Sequence, residues 1–245
     1  RYFNEIKQSL SNSFRFKEKT NDYSYAMKIA ADLQHTPAEY VLSSAYEYQR
    51  FNPEVIQAVL DQLTLDKARI FYIDKEQQGE LGMQYFAGKY SVHDISAELE
   101  ERWQQLSAQF ALTLPRANSL MPESFDIVTA KHTDKPTQLV AEKGHTVHLG
   151  HSALFKQPKG RVTLDLNSGL TKSSAKNHVL ADLLARGLGQ QLTELQSEAS
   201  AAGMGLGTSL SNGLSLTASG FTDKQGMLLA NALQQILDFD ISETE

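Results

Sequence analysis

Residues 206–218, LGTSLSNGLSLTA, decide how the second half of the chain folds. Two runs, Leu206 to Leu210 and Leu214 to Ala218, flank Ser211-Asn212-Gly213. Asn-Gly is a strong short-range turn signal, because both residues tolerate the positive φ values that a tight hairpin turn requires. The segment therefore predicts a β-hairpin.

The sequence around the hairpin predicts strands before it and helices on both sides. Strands are predicted around 137–142, around 146–148 and over 161–166, where alternation indicates one buried face. A long amphipathic helix is predicted from about Ser174 to Ala201, and Gly203 ends it. The segment Thr222-Asp223-Lys224-Gln225 has the form of a capping box and predicts a last helix.

The first third of the chain predicts four helices and one strand. Two helices are expected from about Phe3 to Lys17 and from Tyr23 to Leu33. Thr36-Pro37-Ala38-Glu39 has the form of a capping box, which predicts a helix through about Tyr48. Asn52-Pro53-Glu54 repeats this start signal for a further helix. The β-forming run of residues 68–73, ARIFYI, predicts a strand.

The pattern of elements predicts an α+β fold in two segments joined by a linker. From Leu106 to about Lys135 the periodicity fails, and Pro115 and Pro122 interrupt the chain. We therefore predict one domain segment over residues 1–105, an interdomain linker over 106–135 and a second domain segment over 136–245. Arg1 is not an initiator Met, so we expect the chain to be part of a longer protein.

The composition excludes several classes of function. The 245 residues carry a net charge of −6, which argues against general nucleic-acid binding, because phosphate neutralisation requires a basic surface. No stretch approaches the roughly 18 apolar residues of a membrane span. The chain has no cysteine, which excludes disulfides, zinc–thiolate sites and thiol catalysis.

Three of the seven histidines lie close together, at His145, His148 and His151. The β-branched Thr146 and Val147 favour extended structure. In a strand, neighbours three apart point to opposite faces about 10 Å apart, and His145 and His151 share a face at about 20 Å. Zinc requires nitrogens about 2.0–2.1 Å from one ion, so a straight strand cannot bring the three together. We therefore expect the three histidines to have a structural role. A metal site here would require a sharp bend in the strand or ligands from elsewhere.

No other motif in the sequence predicts catalysis. The glycine-rich segment Gly203–Gly207 follows a helix and precedes a hairpin, which is the reverse of the order in phosphate-binding loops. His178 lacks the partners of an inverted zinc motif and is expected to be an ordinary helix residue. The acidic run Glu98 to Glu101 is typical of a solvated helix face, with Trp103 docked in the core. We therefore predict no catalytic, cofactor-binding or metal-binding residue in this chain.

A series of short motifs, in a fixed order over more than 200 residues, resembles the insulinase/pitrilysin family of zinc metallopeptidases, the inverzincins. The first group is similar to the family's second domain: 14–19, 25–30, 39–42, 51–53, 59–63 and 85–90, followed by Trp103. The second group resembles the linker and the start of the third domain: 114–118, 121–125, 155–159, 199–203, 212–213 and 219–225. His148 stands where the family tends to have an aromatic residue.

The resemblance implies parts of two homologous insulinase-type α/β sandwich domains, each a mainly antiparallel sheet packed against helices. It implies that zinc is held by an H-x-x-E-H motif outside this chain. The chain would then be a non-catalytic central segment, forming chamber wall and hinge, of an endopeptidase that degrades oligopeptides and small proteins. The bacterial members imply a periplasmic or secreted protein whose targeting signal lies elsewhere.

Two alternatives remain open beside the peptidase segment. The chain could come from a catalytically degenerate relative that acts as a structural or peptide-binding subunit, or it could be a metal-binding module built on the histidines. Each partial domain would expose a sheet edge that is normally covered by sequence missing from this chain. We therefore expect self-association through those edges, which light scattering at high concentration can test.

Overall fold

The chain folds into two compact units in a computed structural model that describes residues 1–76, 79–107, 109–110, 113–152, 156–210 and 212–240. One unit consists of Arg1–Gln49 together with Ala117–Glu245, and the other of Arg50–Arg116. The predicted family-domain limits at 105 and 135 stay a prediction, because a division by compactness does not identify homologous domains. The mixture of helices and small antiparallel sheets confirms the α+β class.

The discontinuous unit contains five α-helices and five β-strands among its described residues. The helices are α1 (Tyr2–Arg15), α2 (Asp22–Asp32), α5 (Ala175–Gln191), α6 (Thr193–Ala201) and α7 (Thr222–Leu237). The strands are β3 (Thr137–Glu142), β4 (His145–Leu149), β5 (Lys159–Asn167), β6 (Gly205–Leu210) and β7 (Gly213–Phe221). Short 3-10 helices cover Ala38–Tyr40 and Gly169–Lys172.

The unit of residues 50–116 has little regular structure. It contains α3 (Pro53–Leu60), β1 (Leu81–Gly82), β2 (Lys89–Tyr90), α4 (Ala97–Ser107) and a 3-10 helix over Leu65–Lys67. The side chain of Asn52 accepts a hydrogen bond from the Val55 amide at the start of α3, as the sequence predicts. No described residue of this unit is buried.

The main sheet has the strand order β5-β7-β6, with both pairs antiparallel. The hairpin β6–β7 pairs Leu210 with Leu214, which confirms the predicted reversal at Asn-Gly. A Cβ on Gly213 would lie 1.9 Å from the Leu166 carbonyl oxygen, so only glycine fits where the turn passes β5. The strands β3 and β4 form a separate two-stranded sheet.

The hydrophobic core lies between the main sheet and helices α5, α6 and α7. Helix α7 and strand β7 contribute Leu228 and Leu216, and helix α6 contributes Leu195. The other buried members are Leu120, Met121, Leu192, Ala199, Ala202, Met204, Ala218 and Ala232. Two of these, Leu120 and Met121, come from the predicted linker, which is therefore partly a core element.

The predicted helix of residues 174–201 is two helices that meet at Leu192. The φ and ψ angles of Leu192 are −84° and 0°. The Thr193 hydroxyl donates a hydrogen bond to the Gly189 carbonyl oxygen four residues earlier, a contact that often bends helices. Leu192 itself is fully buried. The break between the two helices therefore lies at a buried residue of the leucine stripe.

Two elements predicted in the first third are wrong. Residues 68–73 form no strand, because a strand requires a pairing partner and the described residues provide none. Only Ala38–Tyr40 of the helix expected through Tyr48 is helical, and turns follow it. Val41 and the serines after it are weak helix formers, which accounts for the early end.

The predicted capping box at Thr222 is also wrong, although helix α7 begins there. The Thr222 hydroxyl donates a hydrogen bond to the Pro158 carbonyl oxygen instead of accepting one from the helix. The Gln225 side-chain amide donates to the carbonyl oxygens of Gly160 and Gly220. Both side chains therefore connect the helix start to the sheet.

Candidate functional site

The histidine segment is extended, as predicted. His145 and His148 lie in the exposed strand β4, and His148 is opposite Gln138 of β3. His145 Nε2 is 3.7 Å from the Glu142 carboxylate. His151 lies beyond the strand, where its backbone amide donates to the Thr133 hydroxyl and its carbonyl accepts from the Thr133 amide.

The described part of the chain does not provide a zinc site. It contains no group of three or more histidine, aspartate or glutamate side chains that could hold a metal ion. His178 is exposed in the first turn of α5. The run Glu98–Glu101 lies in α4, and Trp103 is half-buried there, not docked in a core as predicted.

The glycine-rich segment at 203–207 has a structural role. Gly203 ends helix α6 with a φ of +73°, a left-handed conformation that favours glycine. A Cβ on Gly205 would lie 2.8 Å from the Ser219 hydroxyl. These contacts agree with the prediction of a helix stop followed by a closely packed strand.

The segment Asn118–Phe125, which we call the junction, is held by side-chain contacts with several helices. Asn118 donates from its side-chain amide to the Glu198 carbonyl oxygen at 2.7 Å and accepts from the Leu120 amide at 2.9 Å. Gln8 of α1 donates to the Pro122 carbonyl oxygen at 2.8 Å. The junction is thus fixed to helices α1 and α6.

Helix α7 holds the other end of the junction by charge. The Asp223 carboxylate accepts hydrogen bonds from the backbone amides of Glu123 and Ser124, at 2.8 and 3.2 Å. Lys224 Nζ lies 2.8 Å from the Glu123 carboxylate. The bond from the Glu123 amide, with further help from Ser124 and Lys224, lowers the pKa of Asp223. The hydrogen bond to Glu123 and its negative charge raise the pKa of Lys224.

An aromatic cluster closes the junction. The rings of Phe16, Phe125 and Phe221 have centroids 5.2 to 5.5 Å apart, in stacked and edge-on pairs. The Arg15 guanidinium lies over the Phe16 and Phe125 rings at 4.9 and 5.3 Å. Such pairs stabilise contacts by about 0.5–1.5 kcal/mol beyond the area they bury. One cluster therefore joins residues from the N-terminal segment, the junction and the sheet.

Sequence reasoning predicted an irregular linker here and missed its anchoring. The available signal was local: Leu120-Met121-Pro122 is an apolar triplet between the polar pairs 118–119 and 123–124, and all three residues are buried. The charged partners Asp223 and Lys224 are about 100 residues away in sequence. Only the tertiary fold brings them to the junction.

The described residues thus define an α+β protein with an anchored junction and no cluster of metal ligands. None of its described helices is long and apolar enough to cross a membrane. Residues 14–245 match the family model described as the middle or third domain of peptidase M16. The chain therefore belongs to the peptidase M16 family, in the part of the protein that this model describes.

Known relatives match almost all of the chain. It is 28% identical to Protease 3 of Salmonella typhimurium and of Escherichia coli K12, over 100% of this chain and 26% of each relative. It is 29% identical to insulin-degrading enzyme-like 2 of Arabidopsis thaliana, over 98% of this chain and 25% of that protein. The crystal structure of pitrilysin matches with a TM-score of 0.76 and 28% identity, covering 99% of this chain and 26% of that one. The chain spans about a quarter of the length of these relatives.

Proposed function

We propose that this chain is a non-catalytic central segment of a zinc-dependent endopeptidase that degrades oligopeptides and small proteins inside a closing chamber. The observation that carries the proposal is the match of residues 14–245 to the middle or third domain of the M16 family. The relatives are named as a protease and as insulin-degrading enzyme-like proteins. On this proposal zinc is bound outside this chain, as the family resemblance implies.

Exposed apolar side chains support the proposal that this chain is a segment of a longer protein, in which other parts of the polypeptide cover them. Phe71 and Ile73 are 84% and 93% exposed in the run that the sequence predicts as a strand. Apolar β-forming residues of this kind normally lie in a sheet with one face covered.

The junction limits where a hinge can act. Residues 118–125 are held by side-chain hydrogen bonds, an ion pair and the aromatic cluster, all to the compact unit that contains them. Movement within the junction would break these contacts. On our proposal the segment forms part of the chamber wall, and hinge motion occurs in residues on either side of the junction.

The second candidate is a catalytically degenerate relative that acts as a structural or peptide-binding subunit. Family membership and exposed apolar surface are compatible with it, because neither depends on catalysis. The complete reading frame that contains Arg1 would distinguish the peptidase from the degenerate subunit. An intact H-x-x-E-H motif about 300 residues upstream, as the family resemblance implies, is expected for the peptidase, and a damaged motif is expected for the subunit.

The proposal is tested on the chain alone with a quenched fluorescent oligopeptide and added zinc. We expect hydrolysis no faster than in a blank, at every zinc concentration. Zinc-dependent hydrolysis that follows the purified 27.2 kDa species through gel filtration would contradict a non-catalytic segment. We also propose a periplasmic or secreted location, on the relation to the bacterial enzymes; cell fractionation of the source organism tests it.

A further inference from the structure

The turn of the β6–β7 hairpin contains a chemically reactive pair. Asn212 lies in the turn and Gly213 begins β7, and no other asparagine of the chain is followed by glycine. Asparagine is a thermolabile residue, because the next backbone nitrogen can attack its side-chain carbonyl carbon. Glycine favours this attack, since it has no side chain to hinder the approach. The residues that form the turn therefore also allow a covalent change.

Strand β5 requires glycine at position 213. A Cβ there would lie 1.9 Å from the Leu166 carbonyl oxygen and 2.9 Å from the Asn167 Cα. Both atoms belong to the backbone, so a larger residue would have to displace the strand. The packing of the sheet therefore retains the reactive pair.

The segment after β5 holds Asn212 at two atoms. The Ser168 amide donates a hydrogen bond to the Asn212 backbone carbonyl oxygen at 2.8 Å. The Lys172 ammonium donates to the side-chain oxygen of Asn212, Oδ1. Lys172 is the last residue of a 3-10 helix, and the Ser168 side chain caps this helix by accepting from the Leu170 amide at 3.2 Å. A short ordered segment thus places a cation on the carbonyl group that the Gly213 nitrogen attacks.

We propose that Asn212 is a site of spontaneous deamidation, which Lys172 accelerates. The Gly213 nitrogen loses its proton to water and bonds to the Asn212 Cγ, and negative charge develops on Oδ1, where the Lys172 ammonium stabilises it. The bond from Cγ to Nδ2 then breaks, and Nδ2 leaves as ammonia and takes up the proton. Water opens the resulting five-membered succinimide at either carbonyl, giving aspartate or isoaspartate.

Other asparagines of the chain are less suited to this reaction. Asn52 precedes a proline, whose nitrogen has no proton to lose. The Asn118 side chain already makes hydrogen bonds to Glu198 and Leu120. Asn12 and Asn231 lie inside helices α1 and α7, where the next backbone amide is engaged in the helix. These asparagines provide internal controls in the same molecule.

The two products affect the hairpin differently. Aspartate leaves the main chain unchanged and places a carboxylate beside Lys172. Isoaspartate adds a methylene to the main chain between residues 212 and 213. Because β7 is the central strand and pairs at Gly213 with Asn167 of β5, the added atom displaces the turn from its partner strand. The isoaspartate form is therefore expected to have a lower Tm than the aspartate form.

Peptide mapping by mass spectrometry tests the proposal on the complete gene product, in which any further polypeptide around the hairpin is in place. During incubation at neutral pH, the peptide that contains Asn212 is expected to lose its amide before the other asparagine peptides do. Two products of equal mass, aspartate and isoaspartate, should separate by chromatography. An Asn212 that keeps its amide while other asparagines react would overturn the proposal.

Substitution of Lys172 determines the direction of its effect. Lys172→Met removes the charge and is expected to slow the reaction about threefold, as for the loss of one solvent-exposed charge interaction. Lys172→Gln, a second neutral replacement, is expected to slow it equally. Lys172→Arg keeps a cationic donor and should stay within about twofold of the wild-type rate.

The opposite role for Lys172 predicts the opposite result. If its hydrogen bond only restrained the side chain, both neutral variants would react faster than the wild-type protein. Folded neutral variants that react at the wild-type rate or faster therefore contradict the proposal. In concentrated urea the contact is lost, so the wild-type and Lys172→Met proteins should react at one rate, and a difference that persists there would also contradict it.

Discussion

Replacing Leu120 with alanine tests whether the junction is a core element or a flexible linker. Leu120 is fully buried among residues of helices α6 and α7. Leu114 lies in the same predicted linker but is 79% exposed. Leu114→Ala is therefore a matched control, with the same chemical change and a different environment.

The expected cost follows from burial. Leu→Ala removes three carbon atoms, and at about 0.8 kcal/mol for each buried methylene the lost transfer free energy is about 2.4 kcal/mol. The cavity left in a packed core adds to this, and buried Leu→Ala changes cost about 2–5 kcal/mol. We predict that Leu120→Ala lowers the free energy of unfolding by about 3 kcal/mol. Leu114→Ala should change it by less than about 0.5 kcal/mol.

Urea denaturation followed by circular dichroism at the helix band measures this difference. The single tryptophan, Trp103, lies in the other compact unit, so its fluorescence is a poor reporter of the junction. A loss of about 3 kcal/mol also lowers the Tm by roughly 6–12 °C in a domain of this size. If the two variants unfold within about 1 kcal/mol of each other, the junction is not packed as described.

Three further predictions concern the junction, the helix stop and the histidines. Asp223→Asn should destabilise the chain by about 1–2 kcal/mol at neutral pH. Because the folded pKa of Asp223 is lowered, its contribution is present above the unfolded value of about 3.9 and is lost as the pH falls through the folded pKa. The wild-type and mutant stabilities measured by urea titration should therefore converge in acid, and a constant difference would contradict the role of the ionised Asp223 carboxylate as acceptor for the Glu123 and Ser124 amides. Gly203→Ala should cost about 1–2 kcal/mol, since its φ of +73° is left-handed, whereas the control Gly207→Ala has open space; equal Tm values would contradict this reading. After dialysis against micromolar zinc, elemental mass spectrometry should find no stoichiometric zinc bound to the chain. The His148→Ala variant should have the same zinc content.

Local chemistry predicted most of the discontinuous unit. The Asn-Gly turn, the glycine stop at Gly203 and the alternation of β5 depend on residues near each other in sequence. The turn and the helix stop lie where the sequence places them because their signals are satisfied by backbone geometry alone.

The failures at residues 68–73, at Thr222 and at the junction depend on long-range partners. The run at 68–73 has strong β propensity, but propensity cannot supply a neighbouring strand. The Thr222 motif forms its hydrogen bonds to Pro158 and Gly160, not within its helix. The junction was predicted as a loop because its partners at Gln8, Glu198 and Asp223 are 80 to 114 residues distant.

The candidate site shows the same contrast between what local sequence predicts and what depends on distant residues. Strand geometry predicted that the three histidines cannot share an ion, and β4 is extended as expected. The family assignment required ordered motifs along the whole chain, since no single residue carries it. What the whole protein does is a proposal because three-quarters of its relatives' length lies outside the matched region.

The central claim is that this chain is a non-catalytic segment of a zinc endopeptidase and does not itself bind the zinc. The most direct measurement is the rate at which the complete gene product hydrolyses a quenched oligopeptide, before and after zinc removal with a chelator. We predict hydrolysis that a chelator abolishes and zinc restores. A folded, zinc-loaded complete protein that cleaves no peptide would contradict the claim and favour the degenerate subunit.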